Sequence, residues 1–73
     1  MKLEISYGGR TYGITLNEWQ KGDKHRVYVN EGREGLGYFD MKTGKFVNSK
    51  KRISNPEYHN LVVMVAREEL FEA

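Results

Sequence analysis

Basic and aromatic side chains alternate with valines in one part of this 73-residue sequence, and basic residues cluster in another. Arg26 and Tyr28 occupy alternate positions after Lys24, and the segment 42–56 carries five basic residues and no acidic one. Cations bind phosphates and release counterions, and rings such as Tyr28, Tyr38 or Trp19 stack on unpaired bases. These residues therefore predict a surface for single-stranded or distorted DNA. The predicted contact residues are Lys24, Arg26, Tyr28, Lys45, Lys50, Lys51 and Arg52.

The charge distribution also has a second interpretation. The formal net charge is only +2, because residues 57–73 carry four acidic residues and one basic residue, while residues 1–41 are balanced at six of each. A basic segment beside an acidic one suggests one side that faces a polyanion and one side that faces away from it. Charge runs of this length also occur as solvated surface, so the composition leaves both interpretations open.

An enzymatic function is the second hypothesis. A metal-dependent phosphodiesterase needs carboxylates that converge on a divalent ion, with a lysine or histidine nearby. Asp23, Lys24 and His25 are adjacent, which makes Asp23 the candidate catalytic residue of a weak Mg²⁺-dependent DNA nickase. The spacing matches no nuclease motif, and an aspartate in a Gly-Asp turn is more often there for its turn propensity. The further carboxylates that neighbouring loops would contribute are those of Glu31, Glu34 and Asp40.

Several other classes of function are excluded or disfavoured by composition. The chain has no cysteine and two histidines, so it has no disulfide framework, no cysteine-based zinc site and no metal centre of histidines alone. Cysteine-free composition fits a reducing, cytoplasmic location, and no apolar run approaches the length of a membrane span. No serine stands in a nucleophile motif.

The length predicts one domain, 1–73, with a core small enough that self-association would add to its stability.

Alternating apolar residues predict the strands that would position these side chains. Leu3, Ile5 and Tyr7 alternate with polar residues, and the glycine pair at 8–9 predicts a hairpin turn because both glycines accept positive φ. Residues 17–24 are expected to end the second strand and turn the chain, residues 31–35 to form a turn or loop, and residues 40–45 to form a type I turn. The predicted strands span 2–7, 10–16, 25–30, 36–41 and 45–47.

The apolar run 61–66 fits either a buried strand or a buried helix by periodicity alone. Its flanks favour a helix over 56–72, because Asn55 is a good N-cap, Pro56 suits the first turn and Glu57 lies at the positive end of the helix dipole. The helix is apolar on more than one side, and one sheet covers only one of them. The remaining side predicts a homodimer or higher oligomer, with an interface of Val63, Met64, Leu70 and Phe71.

The junction of the basic segment and the helix, Lys-Lys-Arg-Ile-Ser-Asn-Pro-Glu-Tyr at 50–58, resembles the transcriptional positive cofactor four family. In that family a basic strand leads through an Asn-Pro-Glu-type cap into a C-terminal helix. The resemblance implies a homodimer joined through its helices, with curved sheets that grip single-stranded or locally melted DNA. The chain departs from the family in its glycine-pair hairpin and in Arg52, where the family often has glycine. Some phage and mobile-element proteins of similar fold act against CRISPR nucleases by binding or nicking DNA.

The sequence therefore predicts an α+β fold, with a curved antiparallel sheet of four to five strands followed by one C-terminal helix. The leading functional hypothesis is a homo-oligomeric module that binds single-stranded or distorted DNA. The alternatives are the Mg²⁺-dependent nickase, with an anti-CRISPR role, and a protein-interaction module whose apolar helix docks on a different partner.

Overall fold

The computed structural model describes residues 1–49 and 52–72. Five antiparallel strands form one sheet in the order β1-β2-β3-β4-β5, and a helix follows them. This architecture confirms the predicted α+β fold. No helix in the described part of the chain has the length and apolar character needed to cross a membrane. The elements are β1 (Lys2–Tyr7), β2 (Arg10–Lys21), β3 (Lys24–Glu31), β4 (Glu34–Asp40), β5 (Phe46–Asn48) and α1 (Pro56–Phe71).

Two connections match the predicted turns. The glycine pair between β1 and β2 has positive φ at both residues, 58° at Gly8 and 77° at Gly9, as the hairpin prediction requires. Between β4 and β5, the Gly44 N–H donates to the Asp40 carbonyl over 2.7 Å, and Gly44 has φ of 76°. The left-handed glycine thus closes the turn over residues 40–45.

The second strand is longer than the sequence predicts. Residues 17–21 continue β2 instead of leaving the sheet, and they pair with β3 as far as Lys21 opposite Lys24. Most residues of the segment 17–21 have weak intrinsic strand propensity. The segment is a strand here because it pairs with β3. The predicted loop over 31–35 is likewise tighter, because Glu31 pairs directly with Glu34. Both corrections lengthen the β2-β3-β4 part of the sheet.

The helix begins where the cap residues predict. The Asn55 side-chain oxygen accepts a 3.2 Å hydrogen bond from the Tyr58 backbone N–H, and Pro56 occupies the first turn. The helix ends at Phe71, with Glu72 as its C-cap, one residue short of the predicted end. Its buried stripe consists of His59, Val62 and Ala66.

The helix packs on one face of the sheet, and the core lies between them. Phe39, Ile14, Val29 and Val62 are its largest fully buried side chains. Each of these contributes about 1.5–3 kcal/mol through removal of apolar surface from water. The complete core is Ile5, Ile14, Leu16, Val27, Val29, Phe39, Val62 and Ala66.

The opposite face of the sheet, called the open face below, is not covered by the helix. Strand residues alternate between the two faces, so the neighbours of the buried Val27 and Phe39 lie on the open face. Its aromatic and basic residues on β2, β3 and β4 are Trp19, Lys21, Lys24, Arg26, Tyr28 and Tyr38.

Gly37 in β4 has no room for a side chain. A Cβ atom there would lie 2.3 Å from the Val47 carbonyl oxygen and 2.6 Å from the Phe46 ring, and Gly37 has φ of 148°. We expect Gly37→Ala to lower the free energy of unfolding by about 2–4 kcal/mol, measured by urea denaturation. Gly13→Ala in β2 is the matched control, since its Cβ would meet nothing within 4 Å. Equal stability of the two variants would contradict the close approach of β5 to β4.

Candidate nucleic-acid interface

Arg26 is the centre of a cluster on the open face. It pairs in register with Trp19 on β2, and its Cζ lies 5.5 Å from the Trp19 ring centroid and 4.4 Å from that of Tyr38. Its Nη1 donates a 3.2 Å hydrogen bond to the Tyr28 hydroxyl. This bond stabilises the charged guanidinium and holds the pKa of Arg26 above its ordinary value. The positive charge is therefore fixed among three aromatic rings.

The ring of Tyr28 contacts both of the other rings in this group. The centroids of Tyr28 and Tyr38 are 5.4 Å apart with their planes at 50°, and those of Trp19 and Tyr28 are 6.4 Å apart at 80°. Both geometries are the tilted and edge-on arrangements that aromatic pairs prefer. Trp19 remains 37% exposed and both tyrosines are half-buried. We call Trp19, Arg26, Tyr28 and Tyr38 the aromatic cluster.

Cations flank the aromatic cluster at the β2-β3 hairpin. Lys21 and Lys24 are paired in register and exposed, and they share the strand alternation of Trp19 and Arg26. Lys45 is exposed and immediately precedes β5. Because β5 pairs with β4, Lys45 lies on the side of the aromatic cluster that is away from β2. These lysines place positive charge on both sides of the rings.

The predicted contact residues are distributed unevenly in the structure. Lys24, Arg26 and Tyr28 are together on the open face, as predicted from their alternation. Lys50 and Lys51 lie outside the described residues. Arg52 is exposed in the linker before the helix, where its neighbour Ile53 lines a cavity on the helix side of the sheet. The structure therefore places Lys24, Arg26 and Tyr28 on the open face and Arg52 apart from them.

The sequence indicates Trp19 and Tyr38 as rings suited to stacking, but it does not place them beside Arg26 and does not single out Lys21. The extension of β2 through Lys21 explains this, because it carries Trp19 onto the open face opposite Arg26. The available signal was the alternation of Asn17, Trp19 and Lys21 with Glu18 and Gln20.

The candidate catalytic residue Asp23 lies in the β2-β3 turn. Its side chain is 88% exposed, and its Oδ2 is 3.6 Å from the Lys42 Nζ. The Asp40 Oδ1 accepts a 2.9 Å hydrogen bond from the Lys42 backbone N–H. His25 Nε2 lies 2.6 Å from Glu18 Oε2, so its ring is engaged with a residue of the neighbouring strand.

Of the other carboxylates in the nickase hypothesis, Asp40 lines one pocket with Asp23, whereas Glu31 and Glu34 lie far from it. Glu31 and Glu34 flank the β3-β4 turn, which is at the far end of β3, about 25 Å from the β2-β3 turn for an eight-residue strand. Among the described residues, no three or more Asp, Glu or His side chains are grouped so that they could hold a metal ion. The structure thus brings Asp23 and Asp40 to one pocket and leaves Glu31 and Glu34 apart from them, and a catalytic role of Asp23 stays a prediction.

A cavity of about 240 Å³ lies on the other side of the sheet, near the start of the helix. The Tyr58 hydroxyl donates a 3.0 Å hydrogen bond to Glu31 Oε2, which ties the helix to the end of β3. His59 Nε2 lies 2.6 Å from Asn48 Oδ1, which ties it to β5. We call this the helix-side cavity; its walls are Tyr7, Tyr12, Glu31, Glu34, Leu36, Asn48, Ile53, Ser54, Asn55, Tyr58 and His59.

Burial perturbs both helix residues that form these ties. Desolvation, followed by the hydrogen bond to Glu31, raises the pKa of Tyr58, so its hydroxyl keeps its proton and remains a donor. Desolvation lowers the pKa of His59, so the neutral imidazole is favoured. The neutral tautomer with a proton on Nε2 donates to the Asn48 oxygen.

The four residues predicted at a dimer interface divide into two pairs. Val63 and Leu70 are half-buried and pack against the core. Met64 is 53% exposed and Phe71 is 41% exposed, although the Phe71 ring lies 5.9 Å from that of Phe39. Met64 and Leu61 also line a shallow groove with Tyr7. The outward apolar surface of the helix is therefore smaller than the sequence suggests.

No protein-family model, curated protein sequence or solved structure matches the chain. The resemblance to the positive cofactor four family stays a prediction from residues 50–58, of which 50 and 51 lie outside the described residues. Function is therefore inferred from side-chain chemistry.

The lowered pKa of His59 makes stability depend on pH. Because the unfolded chain binds a proton near pH 6.5 and the folded chain resists it, the stabilising contribution of neutral His59 is complete above that pH and is lost as the pH falls below it. We expect urea midpoints of the parent to fall between pH 7.5 and pH 5, and those of His59→Gln to fall less. The same measurement on His25→Gln is the control, since the His25 ring is half-buried and contacts Glu18 of β2. Identical pH dependence of the parent and His59→Gln would contradict the prediction.

Proposed function

We propose that the protein binds single-stranded DNA on the open face of its sheet. The observation that carries this proposal is the aromatic cluster, in which three rings surround a fixed guanidinium on a face that the helix leaves uncovered. Aromatic side chains stack on unpaired bases and contribute about 1–3 kcal/mol per base. Trp19 supports this role most directly, because it remains exposed while the Tyr28 ring lies edge-on to it.

Single strands suit this face better than a regular duplex. The bases of a duplex are stacked on each other and offer only their edges in the grooves, whereas an unpaired base offers its whole face. The open face is a sheet surface in its described part, without a projecting helix that would enter a major groove. Rings on the open face therefore favour unpaired or locally melted DNA.

The flanking lysines supply the contribution that does not depend on sequence. Lys21 and Lys24 lie at one end of the aromatic cluster and Lys45 at another, so a strand stacked on the rings would place phosphates near them. Each phosphate neutralised on a single strand contributes about −0.7 to the slope of log affinity against log salt. Binding should therefore weaken steeply as salt increases.

We further propose that the active species is a homodimer. Two half-exposed apolar side chains on the helix, Met64 and Phe71, support an association of copies through that surface. A core of this size gains stability from such burial. A dimer would also carry two open faces. Once a long DNA strand is bound to one of them, the effective concentration of the strand at the second face is raised.

The first test is fluorescence anisotropy with a labelled single-stranded oligonucleotide at several salt concentrations. Trp19→Ala should weaken binding about tenfold at fixed salt, because it removes the exposed stacking surface. Lys24→Gln should reduce the salt slope by about 0.7. Absence of binding at low salt, or affinity that salt does not change, would overturn the proposal.

A matched pair of tyrosine variants serves as the control for that test. Tyr38→Leu removes a ring from the open face and should weaken DNA binding, whereas Tyr12→Leu removes a ring from the helix side and should leave it unchanged. Equal effects of the two substitutions would show that binding does not depend on the open face. Thermal unfolding of each variant checks that it is folded.

The second test concerns the dimer. Met64→Glu places a charge on the exposed surface of the helix and should convert a dimer into a monomer, measured by size exclusion with light scattering. Affinity for a long single strand should fall with it, although Met64 is not on the open face. Glu68→Gln, at another exposed helix position, is the control. A parent that is monomeric at all concentrations would overturn the dimer without affecting the DNA proposal.

A further inference from the structure

The helix-side cavity has walls of two chemical kinds, aromatic and anionic. The Tyr58 ring lies 4.8 Å from that of Tyr12 and 5.4 Å from that of Tyr7, measured between centroids. The Glu31 carboxylate accepts a hydrogen bond from the Tyr58 hydroxyl and adds negative charge to the cavity wall. Aromatic faces carry partial negative charge and attract cations. These walls therefore suit a positively charged ligand.

A cation already lies on this group of rings. The Arg10 guanidinium carbon is 5.6 Å from the Tyr12 ring centroid. Arg10 is exposed, and the described walls of the cavity do not include it. The position of Arg10 shows that the Tyr12 ring accepts positive charge in this fold.

The aromatic part of the walls favours one kind of cation over another. A primary ammonium has three N–H donors that need acceptors, and the ring faces of Tyr12 and Tyr58 are poor acceptors. A methylated ammonium has no such requirement and binds through aromatic faces and a nearby negative charge.

We propose that the helix-side cavity binds a methylated ammonium group, with Tyr12 and Tyr58 against its methyl groups and Glu31 balancing its charge. The volume of about 240 Å³ accommodates a trimethylammonium head and a short stem. Such a group occurs in free quaternary amines and in trimethylated lysine side chains. This function is separate from DNA binding, since the cavity and the open face are on opposite sides of the sheet.

The test compares a cation with its neutral isostere on the full chain. Choline and 3,3-dimethylbutan-1-ol have nearly the same shape, and only choline is charged. By isothermal titration and two-dimensional NMR, choline should bind at least about tenfold more tightly and shift the backbone signals of Glu31 and Tyr58. Equal affinity, or shifts confined to other residues, would overturn the proposal.

Variants then assign the contacts. Tyr12→Leu and Glu31→Gln should each weaken choline binding at least about fivefold, and Tyr38→Leu on the open face should leave it unchanged. This is the reverse of the order expected for DNA, so the two proposals fail independently. If Tyr12→Leu proves unfolded, Glu31→Gln and the comparison of choline with its isostere decide the question.

A last comparison identifies the source of the group. Blocked trimethyllysine that binds more tightly than choline assigns the cavity to a methylated side chain, and the reverse order assigns it to a free quaternary amine.

Discussion

A single helix covers a sheet that has two faces, and the chemistry of this protein depends on that constraint. The helix has 16 residues and is therefore about 24 Å long, enough to cover one face of five strands. Strand side chains alternate between faces, so each strand supplies both the core and the open face. Val27 and Arg26 illustrate the division, because they are adjacent in β3. Val27 lies in the apolar core, and Arg26 lies in the aromatic cluster on the open face. Aromatic rings on the open face lie outside the core, and in the structure they contact each other and Arg26.

The two faces differ in the type of interaction as well as in exposure. On the covered side, polar ties such as Tyr58 to Glu31 and His59 to Asn48 hold the start of the helix against the ends of β3 and β5. These bonds leave space between the linker and the sheet, and that space is the helix-side cavity. On the open face, a guanidinium lies against rings without burial in the core, an arrangement that remains favourable in water because both groups are only weakly hydrated on their faces. The chain thus offers anionic aromatic walls on one side and cationic aromatic surface on the other.

Features that depend on neighbouring residues could be predicted from the sequence, whereas features that depend on pairing between distant residues could not. The helix start and the first hairpin were predicted correctly because Asn55, Pro56 and the glycine pair at 8–9 act through neighbouring residues. The end of β2 was predicted too early, since its polar residues stay in the sheet only through pairing with β3. Lys24, Arg26 and Tyr28 could be assigned to one face from alternation alone. The contact of Arg26 with Tyr38 and the cavity around Tyr58 could not, because they join elements whose register the sequence does not specify.

The order of the strands has a consequence for how the chain folds. Every neighbour in the sheet is also a neighbour in sequence, so each hairpin closes through a short loop and the sheet can form quickly from local contacts. The helix is different, because its packing partners include β1, at the other end of the described chain. Since chains are synthesised from the N-terminus, all five strands emerge before the residues that cover them. During that interval the apolar face around Ile14 and Val29 is exposed to water and to other nascent chains.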